Sequence, residues 1–382
     1  MAETASIRAG EEIDNAGLWR YLREQLETAD GEIDVEQFPA GSSNLTYLVR
    51  VGTAEYVLRR PPFGNTVKTA HDVRREFETL SKLSAVYQPA PKPLVFCEDE
   101  SIIGSEFYLM ERRHGLIIRG RIPDVDSPRV SSLRVSSPHV SKGSVDGPNN
   151  VVSRDDVNNS QSAREQVSRS FIQNLADLHA LDYKSAGLDK LGHPDGYNRR
   201  QVEGWTKRYF AAKTHEWDVL ENAVRWLNEN IPAESGTSLI HNDYKFDNVM
   251  LDPDDLGSIT AVLDWEMVTI GDPLMDIGTT LGYWMSPDAG EELLSMPFNP
   301  RVLMENVTRR QLVEMYEQEV GRELPDMLFY YVFGTFKIAV IAQQIYARYV
   351  NGFTQDKRFA NFDRFVEKLG HIAATALDRR SI

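Results

Sequence analysis

Residues 241–248 read HNDYKFDN, and residues 249–266 continue as VMLDPDDLGSITAVLDWE. The first stretch places a carboxylate at Asp243, a lysine two residues later and an amide at Asn248, all within one loop. The second stretch predicts a β-hairpin, because two short apolar runs flank a turn that contains proline and glycine. Its second strand ends at Asp264, so the hairpin is expected to return a second carboxylate towards the same amide.

These groups match the requirements of phosphoryl transfer. The attacking hydroxyl needs a base or an orienting acceptor, Mg²⁺ needs hard oxygen ligands, and the charge on the transferred phosphate needs a cation. The pattern predicts Asp243 for the first role, Asn248 and Asp264 for the second, and Lys245 for the third. His241 is expected to fix the loop through hydrogen bonds.

A family resemblance becomes specific at these motifs. HNDYKFDN resembles the kinase catalytic-loop pattern H-x-D-x-K-x-x-N, and LDWE stands where kinases have D-F-G. Together with Gly271-Asp272-Pro273 and Asp276, this version is similar to the aminoglycoside phosphotransferase and choline kinase superfamily. A protein kinase proper is disfavoured, because A-P-E is missing and Asp276 follows Asp264 too soon for an ordinary activation loop.

The resemblance extends over residues 38–370, apart from a serine-rich segment. Within the superfamily it points to the kinase-like domains found alongside some acyl-CoA dehydrogenases, on the stretches FPAGSSNLTYLV, YVLRRPP, IIGSEFYLMER and GYNRRQVEGW. It implies an α+β, bilobal protein-kinase-like fold. In that fold a small N-terminal lobe contains an antiparallel sheet, and a larger C-terminal lobe is mainly helical.

Three regions and one insertion are predicted on this basis. Residues 1–34 are expected to form an N-terminal helical extension, 35–115 the nucleotide-binding lobe, and 116–382 the catalytic and substrate-binding lobe. The insertion, at about 124–168, is rich in serine and contains no aromatic residue. Such a composition buries too little apolar area to offset the entropy of ordering the chain, so the insertion is predicted to be disordered.

Hydrophobic periodicity predicts the individual elements. In the small lobe these are a helix at 16–26, a hairpin that turns at Gly52-Thr53, a helix near 70–83 and two strands on either side of a turn at 99–104. The most apolar stretch, LFYYVFGTFKIAVIAQQIY, carries Lys337 near its middle. A lysine at the centre of a membrane costs about 2.5–3.5 kcal/mol, so a buried core helix is predicted rather than a membrane span.

The resemblance also implies a site for ATP (or GTP) with Mg²⁺. Small residues in the turn that covers the phosphates would let backbone N–H groups approach phosphate oxygens, and these are Ser42, Ser43 and Asn44. Arg59 stands where kinases have a strand lysine, which keeps the charge but changes its geometry, and Glu76 is its expected helix partner. The residues expected to form a hinge that presents backbone groups to adenine are Met110, Glu111 and Arg112.

The acceptor is predicted to be a hydroxyl group on a small molecule. Four basic residues cluster in the sequence at Arg199, Arg200, Lys207 and Arg208. They either form a solvated helix face or line a pocket for an anionic substrate such as a coenzyme A thioester. Hydroxyacyl-CoA thioesters therefore rank above amino alcohols, and aminoglycosides rank third. Two other classes stay open: a nucleotide-binding pseudokinase, favoured by Arg59, and a scaffold module whose serine-rich insertion recruits partners.

The composition restricts the partners. The 382 residues include 57 acidic and 42 basic side chains, which gives a formal net charge of −15. This charge argues against nucleic-acid and anionic-membrane partners, because both need a basic surface. Cys97 is the single cysteine, which excludes an internal disulfide framework and fits a reducing compartment. The first residues do not resemble a signal peptide, so a cytoplasmic location is expected. The oligomeric state stays open, with a homodimer as one option.

Overall fold

The computed structural model describes residues 4–26, 31–38, 44–62, 72–119, 154–294 and 306–382. The chain divides into two compact units. The first comprises Met1–His114, Leu181–Leu191 and Ala261–Val268, and the second comprises Gly115–Ala180, Gly192–Thr260 and Thr269–Ile382. The first unit therefore includes two short segments that follow residue 115, where the sequence places the boundary between the lobes.

A five-stranded antiparallel sheet lies at the centre of the first unit, with the strand order β1-β2-β3-β5-β4. Its strands are β1 (Ile33–Gln37), β2 (Leu45–Val51), β3 (Ala54–Arg60), β4 (Pro93–Cys97) and β5 (Phe107–Glu111). The β2–β3 hairpin turns at Gly52, whose φ of 57° is readily adopted by glycine. Sequence periodicity predicts four of these strands and misses β1, because IDVEQ is short and has only two apolar residues.

Two capped helices belong to the first unit. Asp14 accepts hydrogen bonds from two backbone N–H groups in the first turn of α1 (Asn15–Gln25), and the apolar side of α1, including Leu18, is buried in the core of the sheet. Asp72 caps α2 (Val73–Leu83) in the same way. The helix predicted near 70–83 therefore begins at the residue after this aspartate.

The second unit is mainly helical. Its helices are α3 (Arg154–Ala180), α4 (Tyr197–Ala211), α5 (Asp218–Glu229), α6 (Pro273–Tyr283), α7 (Glu291–Leu294), α8 (Arg309–Val320), α9 (Leu328–Val350) and α10 (Phe362–Arg379). Two small two-stranded sheets accompany them. β6 (Ser238–Ile240) pairs antiparallel with β9 (Thr269–Gly271), and β7 (Val249–Leu251) pairs with β8 (Ile259–Val262), whose last two residues are assigned to the first unit. The loop 241–248 connects β6 to β7.

Helix α9 runs through the core of the second unit. Among the described residues it is the one helix that is long and apolar enough to cross a membrane, but 83% of its apolar window is buried inside the structure. This confirms the buried core helix predicted from Lys337. α9 packs against α6 at Gly278 and Gly334, because a β-carbon at either position would overlap the backbone of the other helix.

Helix α3 corrects part of the predicted insertion. Residues 120–153 lie outside the described residues, but the chain is helical from Arg154, well inside the range 124–168 that the composition predicts to be disordered. Val167 and Ser168 are buried on this helix, one turn before Phe171. Val167 is an apolar position of this helix that a count of aromatic residues does not detect.

Candidate active site

Asp276 anchors the loop 241–248. It lies in the first turn of α6, and its two carboxylate oxygens accept hydrogen bonds from the backbone N–H groups of His241 and Asn242, each at 2.7 Å. Nε2 of His179, on α3, is 3.2 Å from the same carboxylate. Burial opposes ionisation of Asp276, but the hydrogen bond and charge of His179 outweigh it and hold the pKa below its usual range. The loop backbone is thus fixed by a buried carboxylate.

Asp243 occupies the centre of this loop, and both of its carboxylate oxygens accept hydrogen bonds. Oδ2 accepts from Nζ of Lys245 at 2.7 Å and from Nδ2 of Asn248 at 2.9 Å. Oδ1 accepts from the hydroxyl of Tyr283, at the end of α6, at 2.7 Å. Burial raises the pKa of Asp243, but the Lys245 ammonium and the Tyr283 hydrogen bond outweigh it and hold the pKa below its usual range. Asp243 is therefore ionised at neutral pH.

Lys245 is a buried cation beside this carboxylate. Burial disfavours its charged form, yet Asp243 compensates and holds the pKa of Lys245 well above its usual value. Its Nζ also lies 4.7 Å from the centre of the Tyr283 ring, within the range of a cation–π contact. Lys245 is therefore protonated at neutral pH.

Asn248 ends a short 3₁₀ turn, Phe246–Asn248. Its amide nitrogen donates to the backbone carbonyl of Asp243 and to that residue's Oδ2, both at 2.9 Å. Because Nδ2 is engaged on one side, Oδ1 is the atom of this amide that can ligate a cation. An amide oxygen is the kind of hard donor that Mg²⁺ accepts, so Asn248 fits the predicted metal role chemically.

The imidazole of His241 is buried and stabilises the loop from inside. Its Nδ1 accepts a hydrogen bond from the backbone N–H of Asp243 at 3.3 Å. This is the type of contact that the sequence predicts for His241. The residue between them, Asn242, has a φ of 68°, a left-handed conformation that few residues other than glycine adopt.

Arg59 lies in the first unit, at the end of β3, and contacts three carboxylates. NH1 is 3.1 Å from Glu76 of α2, while NH2 is 3.0 Å from Asp264 and 3.7 Å from Glu266. Burial disfavours the charged guanidinium, but these carboxylates outweigh it and hold its pKa well above the usual value. The structure thus brings together the predicted pair Arg59–Glu76 and adds Asp264 to it.

Asp264 lies two residues after the end of β8 and has a φ of 65°. Its side chain is 33% exposed, and Glu266 beside it is 22% exposed, whereas Glu76 is almost completely buried. One guanidinium faces three carboxylates, so this cluster carries more acidic than basic side chains. Asn248 belongs to the second unit and Asp264 to the first.

Further ligands would be needed to complete a metal site. In the part of the chain that the structure describes, no three His, Cys, Asp or Glu side chains are grouped to hold a metal by themselves. Mg²⁺ commonly binds to one or two protein ligands and takes the rest from phosphate oxygens and water. Mg²⁺ binding by Asn248 and Asp264 therefore stays a prediction.

The predicted phosphate turn and hinge are described only in part. Ser42 and Ser43 lie outside the described residues, and Nδ2 of Asn44 donates to Glu266 at 3.3 Å. At the hinge, the backbone N–H of Glu111 donates to the carbonyl of Lys92 at 2.9 Å, so it is already engaged. Met110 is buried in β5, and the Arg112 guanidinium lies 5.0 Å from the centre of the Phe38 ring.

The four basic residues near α4 have different surroundings. The side chain of Arg199 lies 3.9 Å from Glu203 on the helix surface, and Arg200 donates to two backbone carbonyls. Lys207 is exposed. The Arg208 guanidinium stacks 4.6 Å from the centre of the Trp205 ring, and that ring also lies 5.6 Å from Nζ of Lys337. Of the four, Arg208 therefore joins the group of side chains around the catalytic loop.

Two residues of the site escaped the sequence motifs. Tyr283 donates a hydrogen bond to Asp243, but the surrounding sequence GYWMSP matches none of the kinase-like motifs. Lys337 donates to the backbone carbonyl of Asn242 at 2.5 Å. A lysine in the middle of an apolar helix is a detectable signal, because burying a charge without a purpose is costly. From the sequence alone, however, Lys337 argues only against a membrane span.

A protein-family model described as the phosphotransferase enzyme family (APH) matches residues 34–134 and 148–297. Among curated proteins, acyl-CoA dehydrogenase family member 11 of Gallus gallus is 30% identical over 96% of this chain. The chain spans only 44% of that relative's length.

Solved structures agree with this assignment. A putative aminoglycoside phosphotransferase from Ralstonia eutropha has a TM-score of 0.72 and 26% identity, covering 96% of this chain and 99% of its own. A thermostable mutant aminoglycoside phosphotransferase, solved as a ternary complex with AMP-PNP and hygromycin B, has a TM-score of 0.54 at 16% identity, covering 94% of this chain and 98% of its own. These structures confirm the predicted kinase-like fold. The chain belongs to the phosphotransferase enzyme family.

Proposed function

We propose that this protein is a kinase that transfers the γ-phosphate of ATP to a hydroxyl group of a small molecule, with Asp243 as the group that orients and accepts that hydroxyl's proton. The observation that supports this most is the buried Asp243 carboxylate, which Lys245, Asn248 and Tyr283 hold in one position. ATP is preferred over GTP because a relative of the same fold was solved with AMP-PNP.

The low pKa of Asp243 favours an orienting role. A carboxylate that is ionised at neutral pH accepts a hydrogen bond from the attacking hydroxyl but is a weak base towards it. Phosphoryl transfer has a loose transition state, in which positioning and charge stabilisation contribute more than early proton removal. Asp243 would therefore align the hydroxyl and take its proton late in the reaction, while Lys245 supplies positive charge at the transferred group.

Asn248 and Asp264 are the proposed holders of Mg²⁺. When bound, the ion neutralises the charge of the phosphate oxygens that are transferred and released. On the protein's side, the Asn248 amide is oriented by its two bonds to Asp243, and the Asp264 carboxylate is oriented by Arg59. Arg59 would contact the nucleotide phosphates in the place of the usual lysine, with Glu76 fixing its direction.

A hydroxyacyl-CoA thioester is the proposed acceptor. The curated relatives are named as acyl-CoA dehydrogenases, and this chain matches less than half of the chicken protein. The exposed Arg208, which stacks on Trp205, offers a cation for an anionic substrate. Amino alcohols rank second, and aminoglycosides rank third because a polycationic substrate would be repelled by the same residue.

A phosphorylation screen tests this proposal. Purified protein is incubated with ATP or GTP and Mg²⁺ in the presence of hydroxyacyl thioesters, amino alcohols or aminoglycosides, and phosphorylated products are detected by mass spectrometry. The expected result is a phosphorylated hydroxyacyl thioester whose formation requires Mg²⁺. Nucleotide binding without transfer to any of the three classes would instead support a non-catalytic module, the alternative favoured by Arg59 in place of lysine.

A further inference from the structure

Asn242 is the second residue of the catalytic loop and lies between His241 and Asp243. Its backbone is in the left-handed region, at a φ of 68°. An asparagine adopts this conformation more readily than most residues, but it needs support from its surroundings to stay there. The direction of the next side chain, Asp243, depends on this backbone. Whatever holds Asn242 therefore also determines where the Asp243 carboxylate points.

Three side chains hold Asn242 on different sides. Its N–H donates to Asp276 at 2.7 Å, and its side-chain Oδ1 accepts from the Tyr197 hydroxyl at 3.2 Å. Its carbonyl accepts from Nζ of Lys337 at 2.5 Å, and the same Nζ lies 3.5 Å from Oδ1. Lys337 is the one of the three that holds the carbonyl, the peptide group directly joined to Asp243.

Lys337 lies in the middle of α9 and is 1% exposed. Its other neighbours are Thr279 Oγ1 at 3.5 Å and the Trp205 ring at 5.6 Å. An ammonium in such a place loses its hydration, and here its shortest contact is to a neutral carbonyl rather than to a carboxylate. A methionine or leucine would fill this volume without that cost, so the charge has a purpose other than packing.

We propose that Lys337 is a positioning residue for phosphoryl transfer: its ammonium holds the Asn242 carbonyl in the left-handed turn and thereby sets the direction of the Asp243 carboxylate. This role rests on the proposed function of Asp243. Lys337 touches neither the hydroxyl acceptor nor the nucleotide in this account. It acts through the loop backbone.

The charge on Lys337 makes the arrangement sensitive to pH. The charged groups that act on it are Asp243 and Lys245 on the loop, Asp276 on α6 and Arg208 on α4. Burial dominates over the attraction of the two carboxylates and lowers the pKa of Lys337 to about 8. As the pH rises through this value the ammonium loses its proton, so its hold on the carbonyl weakens and kcat should fall along a single-proton limb.

The test compares Lys337→Met and Lys337→Arg with the wild type. In Lys337→Met we expect kcat to fall roughly 10- to 100-fold, the range for a misplaced catalytic group, with KM for the nucleotide unchanged. The alkaline limb near pH 8 should disappear. Lys337→Arg keeps a cation at every pH, so it should recover part of the lost kcat and also lack the limb.

A matched control lies on the same helix. Gln343 is a buried polar residue of α9 whose side chain makes no hydrogen bond within the described part of the chain, so Gln343→Met should retain the wild-type kcat and pH profile. A Lys337→Met enzyme with wild-type kcat and an unchanged alkaline limb would overturn the proposal. If that variant does not fold, the wild-type profile and Lys337→Arg decide: an alkaline limb retained in the arginine variant would also overturn it.

Hydrogen exchange separates this proposal from the proposed function. Amide exchange of residues 241–248 is measured by mass spectrometry in the wild type and in Lys337→Met, without substrate. Faster exchange in the variant is expected even if the protein transfers no phosphate, in which case the function fails but the positioning contact stands. Equal exchange in the two proteins would show that Lys337 does not hold the loop.

Discussion

Arg59 and Arg50 lie on the same hairpin, and each contacts three carboxylates, but in different surroundings. Arg59 and Glu76 are buried, whereas Arg50 and its partners are partly exposed. Removing one member of a buried pair leaves an uncompensated charge, whereas exposed pairs contribute little. Comparing the two arginines therefore shows how much a buried and an exposed charge each contribute to the free energy of unfolding.

Replacing Arg59 with methionine should destabilise the protein far more than replacing Arg50. We expect a loss of about 3–5 kcal/mol in the free energy of unfolding for Arg59→Met, because the Glu76 carboxylate remains buried without a cation. For Arg50→Met the expected loss is below about 1 kcal/mol. Urea titration measures both.

The double variant Arg59→Met/Glu76→Leu serves as the control. It removes both buried charges and should recover most of the lost stability, because an apolar pair of similar volume needs no compensation. An Arg59→Met protein as stable as Arg50→Met would show that the guanidinium does not neutralise Glu76 in solution.

Lys337 should make the stability of the protein depend on pH. Its pKa is about 8 when folded against an ordinary value of 10.5, so between these values the unfolded state binds more protons. Stability therefore rises with pH across this window, by on the order of 3 kcal/mol relative to Lys337→Met, which cannot titrate. Urea titrations of both proteins from pH 7 to 10.5 measure the difference. A difference that does not change with pH would contradict the lowered pKa.

The site residues that lie in one sequence motif can be predicted, whereas those that reach the site from distant helices cannot. The loop HNDYKFDN brings Asp243, Lys245 and Asn248 together because they are close in sequence and share one turn. Tyr283 and Lys337 reach the same loop from α6 and α9, through packing that local patterns do not encode. Their roles become visible only once these helices are placed.

At the level of elements, the position of the catalytic loop depends on how α6 packs. This helix carries the loop anchor Asp276, and it lies against α9 at Gly278 and Gly334. A β-carbon at Gly278 would overlap the carbonyl of Tyr330, and rigid backbone cannot move aside as a flexible side chain does. The close approach of the two helices therefore requires glycine.

Replacing Gly278 with alanine should separate α6 from α9. We expect a destabilisation of about 1–3 kcal/mol or more, the range for overpacked cores, and a reduced kcat because Asp276 shifts with the helix. Thermal unfolding and steady-state kinetics measure the two effects. Gly236→Ala is the control, because a β-carbon there meets nothing closer than 4.0 Å. Equal stability of the two variants would rule out a tight contact between the helices.

Elements were predicted best where hydrophobic periodicity is strong and a cap marks the boundary. β2 and β3 alternate clearly and turn at a glycine, so their hairpin could be predicted from sequence. β1 could not be predicted, because its sequence is short and has only two apolar residues. It is a strand because it pairs with β2. α3 extends towards its N-terminus beyond Phe171, and Val167 on this extension is buried although no aromatic residue marks it.

At the scale of the whole molecule, the net charge of −15 affects ligand binding most where acidic side chains lie close together. Three of these acids surround Arg59, and a metal–nucleotide complex bound there would stabilise the folded state by mass action. At one hundred times its Kd, such a ligand adds about 2.7 kcal/mol to the free energy of unfolding. We therefore expect ATP with Mg²⁺ to raise Tm, and a chelator to reverse most of the rise.

Two variants test this ligand effect. In Asp264→Asn the Mg²⁺-dependent part of the Tm shift should disappear while a smaller shift with nucleotide alone remains, because one metal ligand has lost its charge. In Asp254→Asn, an exposed acid of the hairpin turn, the full shift should persist. A Tm that does not respond to nucleotide with or without Mg²⁺ would count against the nucleotide site.

The role proposed for Asp243 is to orient the hydroxyl that attacks the nucleotide. Single-turnover phosphoryl transfer to the acceptor identified by the substrate screen is the most direct test, with Asp243→Asn compared with the wild type and with Asp254→Asn. In Asp243→Asn we predict a transfer rate lower by about 10²–10⁴-fold and an unchanged Kd for the nucleotide. In Asp254→Asn we predict the wild-type rate. A wild-type transfer rate in Asp243→Asn would contradict the proposed role.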